Sequence, residues 1–406
     1  MTDQIICVGA GQAALSCAAK LRALGSSAPI ILVGEEPHLP YQRPPLSKKY
    51  LTGEMERDRL LLRPPEWYTE QNVECRTATR VTGIDRAAKT VTLSNGERLG
   101  YGALVIATGS TPRRLPAAVT HDLSGLHVVR NIGDIDALAS DFKSGSTVLV
   151  VGGGYIGLEA ASVAAKQGLK VTIIEAQSRI LERVACKETA DYFVKLHESH
   201  GVDIITGAKL QDFVGEAGRV TGARLGDDRV VPCNTVIVGI GIAPETSLAA
   251  AAGLEIENGI KADEHCRTSD PSIYAIGDCA NFPDHGGRLR LESVPNAIAM
   301  GENAAAAIAG AEVPYVAKPW FWSDQYEVKL QIAGLNVSYD QVEKRGPGPQ
   351  GDYSVWYYKA GRLIAVDAMN AAAHYMVGKR LIESGQSVEP EKVRDMTQDV
   401  KSWLAR

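Results

Sequence analysis

Residues 4–25 read QIICVGAGQAALSCAAKLRALG, and residues 28–36 just beyond them read APIILVGEE. The first apolar run has the length of a buried strand, Gly9-x-Gly11-x-x-Ala14 turns it into an amphipathic helix, and the second apolar run is a further strand ending at Glu35. This is a complete βαβ unit. The plan recurs at residues 146–176, STVLVVGGGYIGLEAASVAAKQGLKVTIIEA, with Gly152-x-Gly154-x-x-Gly157 and an acid, Glu175, at the strand end. The residue types are those a dinucleotide needs. The first glycine makes a tight turn, the second lets the backbone approach a pyrophosphate, and a small third residue lets helix and strand pack closely. The helix N-terminus then offers unpaired N–H groups and the positive end of its dipole. An acid roughly twenty residues on accepts from ribose hydroxyls. A single such turn could serve packing alone. Two copies in the same order predict two bound dinucleotides.

The other segments outline the fold. TVTLSNGERL with Asn95-Gly96 and RVTGARLGDDRVV with Gly226-Asp227 predict antiparallel meander strands. DYFVKLHESHG predicts a helix ended by Gly201. VKLQIAGLN, SVWYYKAGRLIAVDAMN and AAAHYMVGKRLIESG predict a β-meander followed by helices. The expected class is α/β: two Rossmann-like dinucleotide-binding domains and a C-terminal α+β domain. A chain of 406 residues has room for two or three such cores. Hydrophobic residues at 45% and charged residues at 22% are ordinary for a globular protein, and no apolar run reaches the ~20 residues of a membrane helix. A formal net charge of -5 argues against a broad nucleic-acid surface. The opening MTDQIICVGAG lacks a basic stretch and a cleavage site, so a cytoplasmic protein is expected.

YGALVIATGSTPRRLP and RTSDPSIYAIGDCA then carry a resemblance. They are similar to the second and third FAD signatures of the glutathione-reductase-type flavoproteins, in which an aspartate placed like Asp278 hydrogen-bonds the ribityl chain. The resemblance implies FAD on the first glycine turn and NADH on the second. It implies a discontinuous FAD domain of residues 1–112 and 244–318, an NAD domain of 113–243 and a C-terminal domain of 319–406. HLPYQRPPLSKKYLTG and PWFWSDQY resemble the putidaredoxin-reductase-like branch, whose members pass electrons from NADH to small iron–sulfur proteins. By that pattern Gly9, Gly11, Ala14, Glu35, Arg43, Pro45, Thr108, Gly109, Arg130, Asp278 and Val294 contact FAD. Lys48 lies near flavin N5 and pairs with Glu159, and Trp322 lies near the isoalloxazine edge. Gly152, Gly154, Tyr155, Ile156, Gly157, Glu175 and Gly241 contact NAD. Plainer readings stay open: Lys48 and Glu159 as surface charges, Thr108 and Gly109 as turn residues, Trp322 as a domain-interface aromatic.

The cysteines bear on where electrons go. Relatives that reduce disulfides place a close cysteine pair in the first FAD helix, C-x-x-C in the NAD domain, or a single cysteine in the stretch occupied here by YQRPPLSKKYL. The seven cysteines here, Cys7, Cys17, Cys75, Cys186, Cys233, Cys266 and Cys279, form none of these arrangements, nor a metal motif. Electrons are expected to leave the flavin directly. The expected acceptor is a small acidic [2Fe–2S] ferredoxin or a rubredoxin serving a cytochrome P450 or ring-hydroxylating oxygenase, with the reductase a monomer or weak dimer. A docking face is expected at Trp320 and Trp322, ringed by Arg290, Lys318 and Lys329. Two other classes remain: an NADH oxidase or monodehydroascorbate-type reductase, and a redox-sensing protein of the apoptosis-inducing-factor kind.

Overall fold

The structure is a computed structural model and describes residues 3–348 and 351–404. It divides into two compact units, Met1–Arg43 with Glu56–Thr111 and Ile242–Pro319, and Pro44–Met55 with Pro112–Gly241 and Trp320–Arg406. The central glycine turn and the C-terminal segment thus fall in one unit, and the short Pro44–Met55 segment joins them.

The chain enters the first unit through β1 (Ile5–Val8), α1 (Gln12–Ala23) and β2 (Ile30–Val33), and adds β3 (Val73–Arg76) and β4 (Ala103–Ile106). Strands β1, β2 and β4 are short, apolar and almost wholly buried, as parallel strands covered by helices must be, while β3, at the sheet edge, carries Glu74 and Arg76. In the second unit α2 (Ile132–Asp141) precedes β5 (Thr147–Val151), α3 (Tyr155–Lys166), β6 (Lys170–Glu175), α4 (Lys187–Ser199), β7 (Asp203–Thr206) and β8 (Thr235–Val238). Helix α4 ends as its sequence requires, with Gly201 at a φ of +76°. Strands β7, β6, β5 and β8 lie side by side in parallel, and Leu126–His127 closes the edge beyond β8.

The chain returns to the first unit with β9 (Ile273–Ala275), which completes a parallel sheet of order β9-β4-β1-β2-β3, and with α5 (Val294–Ile308), which packs on α1. The crossing is close because Gly301 sits against the α1 backbone, where a Cβ would come within 2.5 Å of the Ala13 carbonyl oxygen. The last segment is an antiparallel sheet of β10 (Trp320–Gln325), β11 (Val328–Gly334), β12 (Gln341–Arg345), β13 (Tyr353–Lys359) and β14 (Arg362–Met369), ordered β10-β11-β14-β13-β12, with α6 (Ala372–Glu383) packed on it. The expected meanders are present as three-stranded antiparallel sheets over residues 81–100 and 210–232. No helix among the described residues is long and apolar enough to cross a membrane.

The two βαβ copies differ by one residue at the acid. Gly9 N–H donates to the Val33 carbonyl and Gly152 N–H to the Ile174 carbonyl, each at 2.8 Å. The residue next to that carbonyl is therefore Gly34 in the first copy and Glu175 in the second. A Cβ on Gly34 would lie 2.6 Å from the Ala10 Cβ. In the second copy Gly153 stands where Ala10 stands, so a side chain fits. The first copy's acid is pushed one residue on, to Glu35, which is exposed and 3.6 Å from Arg80.

Candidate functional site

In the first unit Gly9 has a φ of +109°, and a Cβ there would fall 2.2 Å from the Ala107 carbonyl oxygen. No other residue suits that turn. A Cβ on Gly11 would instead meet nothing within 4 Å, and no side chain caps α1, so the first-turn N–H groups face open space. Ala14 is fully buried behind the turn. This is a cradle of the shape a pyrophosphate fills.

Around it, Asp278 follows Gly277, whose φ is +75°, and its Oδ2 accepts from Ser110 Oγ at 2.8 Å. Thr108 Oγ1 donates to the Glu245 carbonyl at 2.6 Å, and the Gly109 carbonyl accepts from Glu245 N–H at 2.9 Å. Thr108 and Gly109 thus tie the ATG turn to the returning chain. The Arg43 guanidinium donates to Glu36 Oε1 at 2.6 Å and to the Tyr41 hydroxyl at 2.9 Å. Val294 opens α5 behind Ser293, which accepts from Asn296 N–H.

The second unit repeats the cradle. Gly152 has a φ of +106°, with a Cβ position 2.4 Å from the Gly239 carbonyl oxygen, and Gly154 again faces open space with no side chain capping α3. Gly157 is stricter than Ala14, because a Cβ there would lie 2.4 Å from the Gly152 carbonyl oxygen. Glu175 is held in place by backbone N–H groups. Its Oε2 accepts from Gly153 N–H at 2.7 Å and its Oε1 from Gln177 N–H at 2.8 Å. Ile156 is 42% exposed at the start of α3, an apolar side chain left beside the cradle. Tyr155 is half-buried and packs against Phe321, ring centroids 5.1 Å apart. Gly241, with a φ of +100°, accepts at its carbonyl from Arg113 N–H at 2.9 Å. Arg130 is half-buried just ahead of Asn131, the N-cap of α2.

Lys48 and Glu159 are brought together in this unit. Pro45 leads into a wide helical turn, Leu46–Tyr50, from which Lys48 departs with φ −131° and ψ −112°. Its Nζ donates to Glu159 Oε2 at 2.7 Å and to the Pro44 carbonyl at 3.2 Å. Glu159 is only 5% exposed and also accepts from Ser47 Oγ at 2.9 Å and Ser323 Oγ at 2.8 Å. The surface-charge reading of this pair is thereby excluded. Ser47, Ser110 and Ser323 carry no signal of their own in sequence. The one available sign was in WFWSDQ, where Phe321, Ser323 and Gln325 alternate with Trp320, Trp322 and Asp324 across the two faces of a strand. Trp322 is half-buried and lies 5.6 Å from Trp320.

One of the cations expected around the docking face is engaged by its neighbours, and another has an acid across the ladder. Arg290 donates to Glu292 and to the Asp278 carbonyl, and Lys329 stands directly opposite Asp324 in the β10–β11 ladder. All seven cysteines are free and all but Cys75 are buried. The Cys17 thiol and burial push the Cys7 thiol well above its ordinary range, so Cys7 is not a ready thiolate. No cluster of metal ligands occurs among the described residues.

Comparison with known proteins agrees with this geometry. The profile of the pyridine nucleotide-disulphide oxidoreductases matches residues 3–301, and a reductase C-terminal profile matches residues 320–404. A ferredoxin–NAD(P)+ reductase of Sphingomonas sp is 43% identical over 397 residues, 96% of each chain. Putidaredoxin reductase of Pseudomonas putida is 39% identical over 409 aligned positions, covering 99% of this chain and 97% of the relative. A crystal structure of a covalent putidaredoxin reductase–putidaredoxin complex superposes with a TM-score of 0.95 at 39% identity, over 98% of this chain and 97% of that one. Two dinucleotide cradles, the buried Lys48–Glu159 pair and these likenesses together mean that the chain belongs to the pyridine nucleotide-disulphide oxidoreductase family, in its putidaredoxin-reductase-like branch of ferredoxin–NAD(P)+ reductases.

Proposed function

We propose that this protein is an FAD-dependent NADH:ferredoxin reductase that hands electrons to a small iron–sulfur protein, a [2Fe–2S] ferredoxin or a rubredoxin, in the service of an oxygenase. The observation that carries the reading is the pairing of two dinucleotide cradles with the absence of any accessible thiol pair among the described residues. When bound, FAD supplies a ring that takes a hydride from a nicotinamide and gives up single electrons. The protein's residues supply position and charge. The α1 and α3 N-termini bind the two pyrophosphates. Asp278, steadied by Ser110, orients the ribityl chain, and Arg43, itself fixed by Glu36 and Tyr41, stands beside it. Lys48 offers a cation to the negative charge of the reduced ring. Glu175 takes the adenosine ribose, and Trp322 borders the ring. We place the FAD domain at residues 1–112 and 244–318 and the NAD domain at 113–243. Free, buried cysteines suit the reducing cytoplasm.

Anaerobic titration with NADH tests the electron path. Reduction should end at about two electrons per FAD, the capacity of the flavin alone. An endpoint twice that size, or turnover lost on mild thiol alkylation, would show a thiol relay and overturn the reading. Added ferredoxin should then reoxidise the flavin far faster than oxygen does. If ferredoxin changes nothing, a small-molecule acceptor takes its place.

A further inference from the structure

Behind Glu159 lies a buried polar series that the reaction as described does not use. Ser323, Gln325 and His197 are all fully buried, and Tyr326 is nearly so. Gln325 Nε2 lies 3.2 Å from Ser323 Oγ, His197 Nε2 is 2.9 Å from Gln325 Oε1, and the Tyr326 hydroxyl is 3.2 Å from His197 Nδ1.

The chemistry of each group fixes the direction of every bond. The Glu159 carboxylate only accepts, so the single Ser323 proton must point to it. Ser323 Oγ can then only accept from Gln325, which must present its NH2 group. The Gln325 carbonyl therefore faces His197, whose Nε2 must carry the proton. Burial lowers the His197 pKa to about 4, so the ring is neutral near pH 7 and Nδ1 is left to accept from the Tyr326 hydroxyl. All four donors run one way, toward Glu159. Aligned dipoles of this kind polarise one another in a dry interior. Strand β10, which carries Ser323 and Gln325 and leads into Tyr326, is anchored to α3 through Glu159 and, just past its end, through Lys166, whose Nζ donates to the Tyr326 carbonyl at 3.0 Å, while His197 comes from α4. His200 lies flat on the Tyr326 ring at 3.7 Å and closes the outer end.

We infer that Tyr326, His197, Gln325 and Ser323 form a one-directional hydrogen-bond series that fixes the Glu159 carboxylate, and through it the Lys48 ammonium, making Ser323 and His197 positioning residues for hydride transfer to the flavin. The inference rests on the reductase reading above and assigns the C-terminal sheet a part in the chemistry of the NAD fold.

The test uses purified holoenzyme in stopped-flow reduction by NADH, together with the midpoint potential of the bound flavin. Ser323→Ala should slow flavin reduction about tenfold, the usual worth of one hydrogen bond to a charged group, and should leave the apparent NADH affinity unchanged. Its flavin potential should move to a more negative value. Ser323→Thr, which keeps the hydroxyl, should recover most of both. His197→Gln, which keeps a donor near the Nε2 position, should be faster than His197→Phe. In a Lys48→Ala background Ser323→Ala should add nothing further. Wild-type rate and potential in Ser323→Ala, or equal defects in Ser323→Ala and Ser323→Thr, would reduce the series to packing and overturn the inference. Failure of the wild-type enzyme to pass electrons to any ferredoxin would overturn the reductase reading instead.

Discussion

Glu159→Ala is expected to be the most damaging single substitution outside the glycine turns. Three donors converge on this carboxylate, and removing it strands the Lys48 cation in a site where its side chain is only 18% exposed. Breaking a buried pair by deleting one member costs about 3–5 kcal/mol. For a unit of this size that lowers the thermal midpoint by about 10 °C. Flavin reduction by NADH should fall about 100-fold, because the displaced ammonium no longer faces the developing charge. A double variant, Lys48→Met with Glu159→Leu, separates the two effects. Filling the site with apolar groups removes the stranded charge and should return roughly half of the lost stability. Reduction should stay slow. Recovery of both together would mean that the pair only holds the fold.

The second large effect concerns which nicotinamide cofactor is used. Glu175 is braced by two backbone N–H groups at the end of β6, so its charge cannot swing away from an incoming 2′-phosphate. Arg179 is close enough in sequence to look like a phosphate ligand. In the structure its guanidinium donates to the carbonyls of Ile180, Glu182, Ala185 and Cys186, and so is committed to its own loop. NADH should be preferred over NADPH by about 100-fold in kcat/KM, the scale of a like-charge contact in a partly buried site. Glu175→Ala should shrink the preference to a few-fold by a double route. It deletes the repulsion, and it frees the N–H groups of Gly153 and Gln177 to meet the phosphate. Equal kcat/KM values for the two cofactors in the wild-type enzyme would sink this assignment.

The parts of the fold that could be read from sequence are those written in short-range patterns. Gly9, Gly11, Gly152 and Gly154 are demanded by backbone turns only a few residues long, and the strands beside them are apolar runs with no other use. Lys48 and Glu159 could be matched to a family pattern, but the partners that hold them could not. Ser47 and Ser323 come from 112 and 164 residues away, and a serine in a strand looks the same whether it faces water or a buried carboxylate. Counting about twenty residues from each glycine turn made Glu35 and Glu175 appear equivalent. Ladder register and one crowded Cβ make them inequivalent. Charge shows a related limit: Arg290 and Lys329 are visible as cations in sequence, but that Arg290 also donates to the Asp278 carbonyl and that Lys329 faces Asp324 across a ladder is settled only by folding.

The exchange of Ala10 and Gly34 in one copy for Gly153 and Glu175 in the other restricts the order in which such turns can change. Gly34→Glu on its own drives a new Cβ to 2.6 Å from the Ala10 methyl, while Ala10→Gly on its own creates no clash. Only the sequence of changes that starts at residue 10 passes through a foldable intermediate. Across homologous chains residues 10 and 34 should therefore covary, with an acid at 34 found only above a glycine at 10, and a library that randomises residue 34 alone should return almost nothing but glycine.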